Sequence, residues 1–544
     1  MPESKNRSYL HGAAILTIAV LVVKVIGAIY KIPLLNMLGN EGSGYFTAAY
    51  AIYALFLTVS TSGLPVALSK MISTANALDR PNQVKRIFSV GRAAFFFLGL
   101  VSGLVMFLFA GELAGSEGAV HSVRVLAPAV LFACLISAYR GYAQGHSDMV
   151  PTSVSQTIEA LGKLVFGLSL AWWFLRSGKG VPMATGASMA GVTIGAFLAL
   201  VFLAAYKRLR GRPARRTSAH QDVPEARGRI LKRLIQIGVP IALSASFLSI
   251  IGLIDTRMIL ARLQGALGMS ESAANSLLGI YGKVQTLHNV PPYVITPLTI
   301  SFIPSITALI SKKADASAAA VMESGLKMTN LIAMPCAAGL SAVAALIVEV
   351  VYRGSGAEAP GMLMIMGIAS FFVCTMLMTN AILQAYGFER FTVYTVVIGG
   401  IIKVVLNWFL LGTPSVGIYG AAVSSVVCYL VISILNLTLI MRKVPHRPRL
   451  VRAYGKPLAA AAVMGVAAWA CGSLFQTLFT GVFTSGIGPL SAGYVVSILS
   501  LGCAVLVAAV VYIVLIVALG ALTYEDMKML PKGEKLAKLL RIRP

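Results

Sequence analysis

The 544 residues hold little charge, and least of the negative sign: Asp and Glu number 19 against 45 Lys and Arg, and the four types together make 12% of the chain. A soluble globular chain carries roughly 25%, so a chain wrapped in a water-facing surface is excluded. Cysteine is scarce too. Cys134, Cys336, Cys374, Cys428, Cys471 and Cys503 stand singly in apolar stretches without a CxxC or a Cys/His cluster. They give neither a disulfide framework nor a metal site and read as small packing residues. The six histidines are dispersed without an HExxH, and GxxxxGK[ST] does not occur. Zinc hydrolysis and nucleotide hydrolysis by the chain itself are therefore not expected, no cofactor is expected, and transport would have to be powered otherwise.

What the chain has is apolar length. It is 57% hydrophobic with mean hydropathy +0.83. Apolar runs of the ~20 residues needed to cross the hydrocarbon centre near Val20, Leu57, Gly99, Phe132, Val165, Gly195, Leu243, Thr296, Gly339, Phe372, Ile401, Val427, Gly465 and Leu506. A backbone in lipid must satisfy its own hydrogen bonds, so the expected fold is all-α and polytopic, with about fourteen transmembrane helices.

The net charge of +26 sits in alternate loops. One set holds Lys5 and Arg7, Lys70 to Arg92, ten basic residues between Lys207 and Arg233, Lys312 to Lys327, Arg442 to Lys456 and the tail from Lys528; the other holds only Lys31, Arg124, Arg176, Lys179, Arg257, Arg262 and Arg353. The positive-inside rule puts the first set, and both termini, in the cytoplasm. The 207–233 run reads as a solvated topology determinant and linker rather than a nucleic-acid site. The first apolar stretch is interrupted by Lys24 and lacks a small-residue cleavage site, so it reads as a retained span.

A repeat at about 240 residues organises the spans. GLPVALSKMIS near Leu64 resembles SFIPSITALIS near Ile303; Gln144 and Lys163 recur at the same interval as Gln384 and Lys403; TGASMAG at Thr185 aligns with YGAAVSS at Tyr419. Six spans is an even number, so the copies run parallel, as in a two-lobed transporter. The expected division is an N-lobe at 1–210, a basic linker at 211–232, a C-lobe at 233–443 and two further spans with a basic tail at 444–544.

Several spans carry ionisable groups, at a cost of roughly 2.5–3.5 kcal/mol each near a span centre unless they snorkel or face a wet cavity. Lys24, Gly27 and Lys31 share one face of the first span, and that face could hold an anion. Lys31 either joins Lys24 there or snorkels to the outer interface. In GIYGKVQTLHNVPPY, Lys283, Gln285 and His288 precede Pro291 and Pro292, where a helix bends. Glu159 and Lys163, four residues apart, are expected to neutralise each other, and Asp255 with Arg257 reads as a local or inter-helix pair. Lys403 has no carboxylate one turn away. The bias is positive, and it favours a phosphate or pyrophosphate group over a cation.

The run Lys24, Gly27, Tyr30-Lys31-Ile32-Pro33, Leu38-Gly39, Glu41-Gly42, Tyr50, Tyr53 and Gly63-Leu64-Pro65-Val66-Ala67-Leu68-Ser69-Lys70, followed by Gln144-Gly145 and Pro151, resembles the polysaccharide transporter branch of the multidrug/oligosaccharidyl-lipid/polysaccharide exporter superfamily, the branch of the lipid II flippases and stage V sporulation protein B. The resemblance implies a bacterial plasma-membrane flippase of two six-helix lobes set as a V. It also implies a lipid-linked oligosaccharide pyrophosphate as partner, membrane lipids around it, no nucleic acid, and a coupling ion or the membrane potential as energy source. Lys24 matches the first basic position of such cavities and Lys283 is the nearest match in the eighth span. The expected site is thus Lys24, Lys31, Lys283, Gln285 and Lys403, with Glu41, Glu159, Lys163, Asp255 and Arg257 as cavity or gate charges. Two rivals are a cation-coupled drug exporter, which would line its cavity with acids, and a membrane enzyme acting on lipid-linked sugars, which would carry a large outer loop rich in His, Arg or carboxylates.

Overall fold

The computed structural model describes residues 2–210, 222–483 and 489–521. The side chains of Lys5 and Arg7, residues 211–221 of the linker and the tail from Lys528 lie outside the described residues. All regular structure among the described residues is helical. In chain order the helices are α1 (Pro2–Ser62), α2 (Leu64–Ala77), α3 (Pro81–Leu108), α4 (Ala110–Ala114), α5 (Glu117–Gly145), α6 (Val150–Arg176), α7 (Val181–Arg210), α8 (Arg227–Gly265) and α9 (Glu271–His288). There follow α10 (Val290–Ser311), α11 (Asp315–Ala342), α12 (Ala344–Val351), α13 (Glu358–Ala385), α14 (Glu389–Leu410), α15 (Tyr419–Lys443), α16 (Leu450–Phe483) and α17 (Pro489–Ala518).

Eleven of the described helices are long and apolar enough to cross a membrane, and thirteen if each of two bent pairs is one span. The first of the eleven, Val22–Ala77, has 56 residues, far more than one crossing needs. It is broken at Gly39, whose φ of 71° lies in the left-handed region that glycine enters without a Cβ penalty. The set is compatible with the fourteen spans expected. One expected span is divided: the stretch centred on Thr296 forms α10, whereas Lys283, Gln285 and His288 lie on α9, across a break at Asn289. Pro291 and Pro292 open α10 there, because proline lacks the N–H that a helix interior needs and fits the first turn.

The chain forms two compact units, residues 1–282 and 283–544, so the passage from one to the other falls within α9. In the first, Leu68, Ile72, Phe95, Cys134 and Ile230 build a core among α2, α3, α5 and α8. Helices α6 and α7 approach closely because glycine meets glycine, Gly162 against Gly195 and Gly167 against Gly191, the small-residue packing that lets helices associate in lipid. In the second unit, Tyr512 Oη on α17 donates to the Leu331 carbonyl on α11 at 2.8 Å, and Asn330 donates to the Ala453 carbonyl on α16 at 2.9 Å. The last two helices are thereby docked on α11. Most of α17 nevertheless faces outward: its apolar window has mean hydropathy 3.0 and is 17% buried, against 61% for the less apolar α13, as expected when lipid is the solvent.

The repeat read from the sequence has a local counterpart. Helix α5 ends with Asp148 N donating to the Ala143 carbonyl around Ser147 at positive φ, and α13 ends with Phe388 N donating to the Leu383 carbonyl around Gly387 at positive φ. Both are left-handed caps that satisfy late carbonyls. Lys163 on α6 and Lys403 on α14 follow these turns at the same interval.

Candidate functional site

In the first unit a cavity of about 270 Å³ opens between both halves of α1 and the helices α5, α6 and α7. Its polar lining is Lys24, Tyr50 and Tyr53 from α1, Arg140 from α5, and Gln156, Glu159 and Lys163 from α6. The three α6 residues are spaced i, i+3 and i+7 and so share one helix face. Three basic groups and one carboxylate leave the lining with a formal charge of +2.

The carboxylate is held by the arginine. Arg140 donates to Glu159 Oε2 at 3.1 Å and, through Nε, to Ser155 Oγ at 2.9 Å. The expected neutralisation of Glu159 by Lys163 on the same helix is therefore corrected: Glu159 on α6 forms its ion pair with Arg140 on α5. A planar guanidinium braced by a second acceptor suits a carboxylate better than a mobile ammonium one turn away. The Lys163 ammonium lies instead 5.3 Å from the Tyr30 ring centroid and 5.9 Å from that of Tyr50, a cation–π arrangement.

An aromatic ladder organises the lysines. Phe46, Tyr50 and Tyr53 follow at i, i+4 and i+7 on the second half of α1, with Phe46 and Tyr50 stacked at 5.6 Å and Tyr50 and Tyr53 tilted at 5.8 Å. Tyr30, from the first half, meets Phe46 at 6.5 Å. Lys31 Nζ stands 5.9 Å from the Phe46 ring, and Lys24 and Lys163 line the same cavity. Two lining atoms are unusual: Tyr53 Oη and Gln156 Oε1 are buried with no hydrogen-bond partner among the described residues.

The remaining expected residues fall elsewhere. Glu41, just past the Gly39 break, accepts Tyr45 Oη at 2.6 Å. Asp255 on α8 accepts Tyr281 Oη at 2.9 Å, while Arg257 donates to the Glu112 carbonyl at 2.6 Å. Lys283, Gln285 and Lys403 belong to the second unit. Lys283 is 2% exposed; its ammonium is 3.4 Å from Ser355 Oγ and 5.8 Å from the Tyr352 ring centroid. Lys403 is buried on α14, one turn from Asn407, which accepts from Ser424. Gln285 is half-buried between Lys283 and His288, and His288 Nδ1 lies 2.8 Å from the Met366 carbonyl.

The structure thus brings Lys24, Glu159 and Lys163 together and adds Arg140, Gln156, Tyr50 and Tyr53, to which the sequence reading assigns no site role. Arg140 carried one signal, an arginine inside the fourth apolar run four residues before Gln144. The tyrosines stood in the motif run without a part to play.

The all-helical fold of the described residues is that of the multidrug and lipid flippase transporters. An inward-facing MATE family multidrug transporter of the MOP superfamily matches at TM-score 0.64 and 15% identity over 78% of this chain and 98% of its own. The lipid II flippase MurJ in an inward closed conformation matches at TM-score 0.62 and 12% identity over 94% and 99%. Residues 9–310 match the family model described as "Polysaccharide biosynthesis protein", and the chain belongs to that family. Among proteins of Bacillus subtilis (strain 168), the chain is 25% identical to the membrane protein YabM over 98% of this chain and 96% of that one. It is 26% identical to the lipid II flippase MurJ over 73% and 76%, and 23% identical to stage V sporulation protein B over 81% and 85%.

Proposed function

We propose that this multi-pass membrane protein is a flippase that carries a lipid-linked oligosaccharide, joined to an undecaprenyl-type lipid through pyrophosphate, from the inner to the outer leaflet by alternating access. A peptidoglycan precursor such as lipid II is the substrate that its similarity to MurJ favours; a teichoic, capsular or spore-cortex precursor would present the same anionic group. The observation that carries the reading is the +2 lining around Lys24, Arg140 and Lys163 in a chain of the polysaccharide family. A cavity for a cationic drug would place its excess charge the other way, and here the lining carboxylate is already bound to Arg140.

In this reading the termini are cytoplasmic, the two six-span repeats are the moving lobes, and residues 211–232 link them. The pyrophosphate binds Lys24 and Lys163 from the inner leaflet, and neutralising the lysines lowers the cost of closing the cavity around them. Moving negative charge outward across an inside-negative membrane is downhill by roughly 2.3 kcal/mol per charge per 100 mV, so no nucleotide is needed. The test is complementation in a bacterium whose own lipid II flippase can be switched off. Wild type should restore growth and Lys24→Ala, inserted to the same level, should not; growth supported equally by Lys24→Ala would refute the role given to the cavity.

A further inference from the structure

Away from the transport cavity, a second cavity of about 270 Å³ opens where the loop ends of α2, α3 and α8 meet the strap 222–226. Three basic residues line it, one from each helix: Lys70 on α2, Arg80 at the start of α3 and Arg233 on α8. Glu225 is the one carboxylate among the lining residues, so the formal charge of the lining is +2. All three basic residues are exposed, within reach of a ligand. Glu225 lies 3.7 Å from Arg233, whose side chain is 61% exposed, and an ion pair so open to water holds weakly. The strap is fixed independently of that pair: Arg86 donates to the Pro224 and Glu225 carbonyls at 3.2 and 3.3 Å, and Glu225 N donates to Gln83 Oε1 at 2.7 Å. The N–H groups of Asn82 and Gln83 at the start of α3 are already taken by the Asp222 carboxylate, so an anion here is met by side chains rather than by the helix end.

Polarity changes along the walls. Gln83 and Ile87 on α3, like Arg233 and Ile237 on α8, are i, i+4 pairs that share a helix face, and the apolar member of each lies about 6 Å further from the loop. Met71 on α2 joins them on the lining, and Leu78, 59% exposed, stands at the end of α2. A basic rim over an apolar floor matches a glycerolipid, with its phosphate at the rim and its glycerol and first acyl carbons within; a free phosphate would use the rim alone. The cavity lies on the loop side that the charge pattern assigns to the cytoplasm. We infer that it binds the phosphate headgroup of an anionic glycerolipid of the inner leaflet, as basic pockets between helices do at that surface. The inference rests on the topology of the flippase reading and not on its cargo, since the site shares no residue with the cavity around Lys24. The bound phosphate takes Arg233 in competition with Glu225.

The test titrates the full chain in detergent micelles with dioleoyl phosphatidylglycerol, dioleoyl phosphatidylcholine and water-soluble glycerol 1-phosphate, and counts bound molecules by native mass spectrometry. Wild type should hold phosphatidylglycerol about tenfold more tightly than the zwitterionic lipid. The combined Lys70→Gln, Arg80→Gln and Arg233→Gln variant should lose that preference. Lys85→Gln with Lys232→Gln, at exposed basic residues outside the lining, should keep it, and so should Lys24→Ala. Glu225→Gln should sharpen it by about threefold, by removing the competing carboxylate. A preference that is absent in wild type, retained by the triple variant or lost equally with Lys85 and Lys232 overturns the site in favour of general surface charge. A preference lost in Lys24→Ala overturns it by placing the lipid in the transport cavity. Equal competition by glycerol 1-phosphate overturns the lipid assignment and gives the cavity to a soluble phosphate.

Discussion

Glu159→Gln distinguishes an anion carrier from a cation carrier by the sign of its effect. Glu159 is the one carboxylate among the lining residues, and its side chain is 28% exposed beside an Arg140 that is 14% exposed. Glutamine keeps the shape and can still accept from Arg140, but it raises the formal charge of the lining from +2 to +3. For a ligand charge ~6 Å away, at an effective dielectric of ~20 to ~40, one unit of charge is worth about 1.4 to 2.8 kcal/mol, a gain of roughly 10- to 100-fold in affinity for an anion. The same substitution costs about 1 kcal/mol of stability, since a charge-assisted hydrogen bond becomes a neutral one. Binding of undecaprenyl pyrophosphate to nanodisc-embedded protein, measured at low and at 0.15 M salt, reads the effect directly. The expected outcome is tighter binding in Glu159→Gln and a smaller gain at higher salt. Transport need not rise with it, because a ligand held too tightly is released slowly. Binding of the anionic probe that is unchanged or weaker would refute the assignment of the cavity to an anion, and tighter binding of a cationic dye would contradict the Coulombic argument itself.

Arg140→Ala should destabilise as Glu159→Gln does but more, because it leaves a half-buried carboxylate without its arginine at a cost of about 2–4 kcal/mol, and it should weaken anionic ligands where Glu159→Gln tightens them, measured by thermal unfolding and the same binding assay. Gly44→Ala should destabilise the first unit by about 1–3 kcal/mol, seen as a lower Tm in detergent, because its Cβ would meet the Asn275 carbonyl where α1 crosses α9. Asp222→Ala should loosen the start of α3, whose Asn82 and Gln83 N–H groups donate to the Asp222 carboxylate at 3.0 and 2.8 Å. Loss of such a cap is worth about 0.5–2 kcal/mol, so amide exchange at Asn82 and Gln83 should accelerate while exchange in the middle of α3 stays slow.

Helices were legible in this chain because lipid imposes a strong filter: a segment that crosses must be apolar for ~20 residues and must close its own hydrogen bonds. Every one of the fourteen centres falls within a helix. Charge in such segments was legible for the same reason, as an exception to the filter, and it singled out Lys24, Glu159 and Lys163. What it could not supply was pairing. Spacing along one helix offered Glu159 a partner at i+4, and the fold offered a better one in Arg140 of α5, 19 residues earlier in sequence and brought near by a turn at Ser147. Local spacing sees only the competition within a helix, whereas the pairing is decided by which group a neighbouring helix brings within reach, here a guanidinium braced on Ser155.

Tyr53 and Gln156 were harder still, and the reason is chemical. A tyrosine or glutamine in an apolar run is ordinary, since either can satisfy its polar end on a neighbouring helix, as Tyr281 does with Asp255 and Tyr512 with the Leu331 carbonyl. Only the packed structure separates tyrosines with a protein partner from those such as Tyr53, Tyr386 and Tyr454, whose buried hydroxyls have no hydrogen-bond partner among the described residues. Tyr53 lines the same cavity as three basic residues and the carboxylate that moderates them. Left unsatisfied, a buried polar atom costs about 1–3 kcal/mol, a cost that spacing along one helix does not reveal and that only the packing of several helices decides.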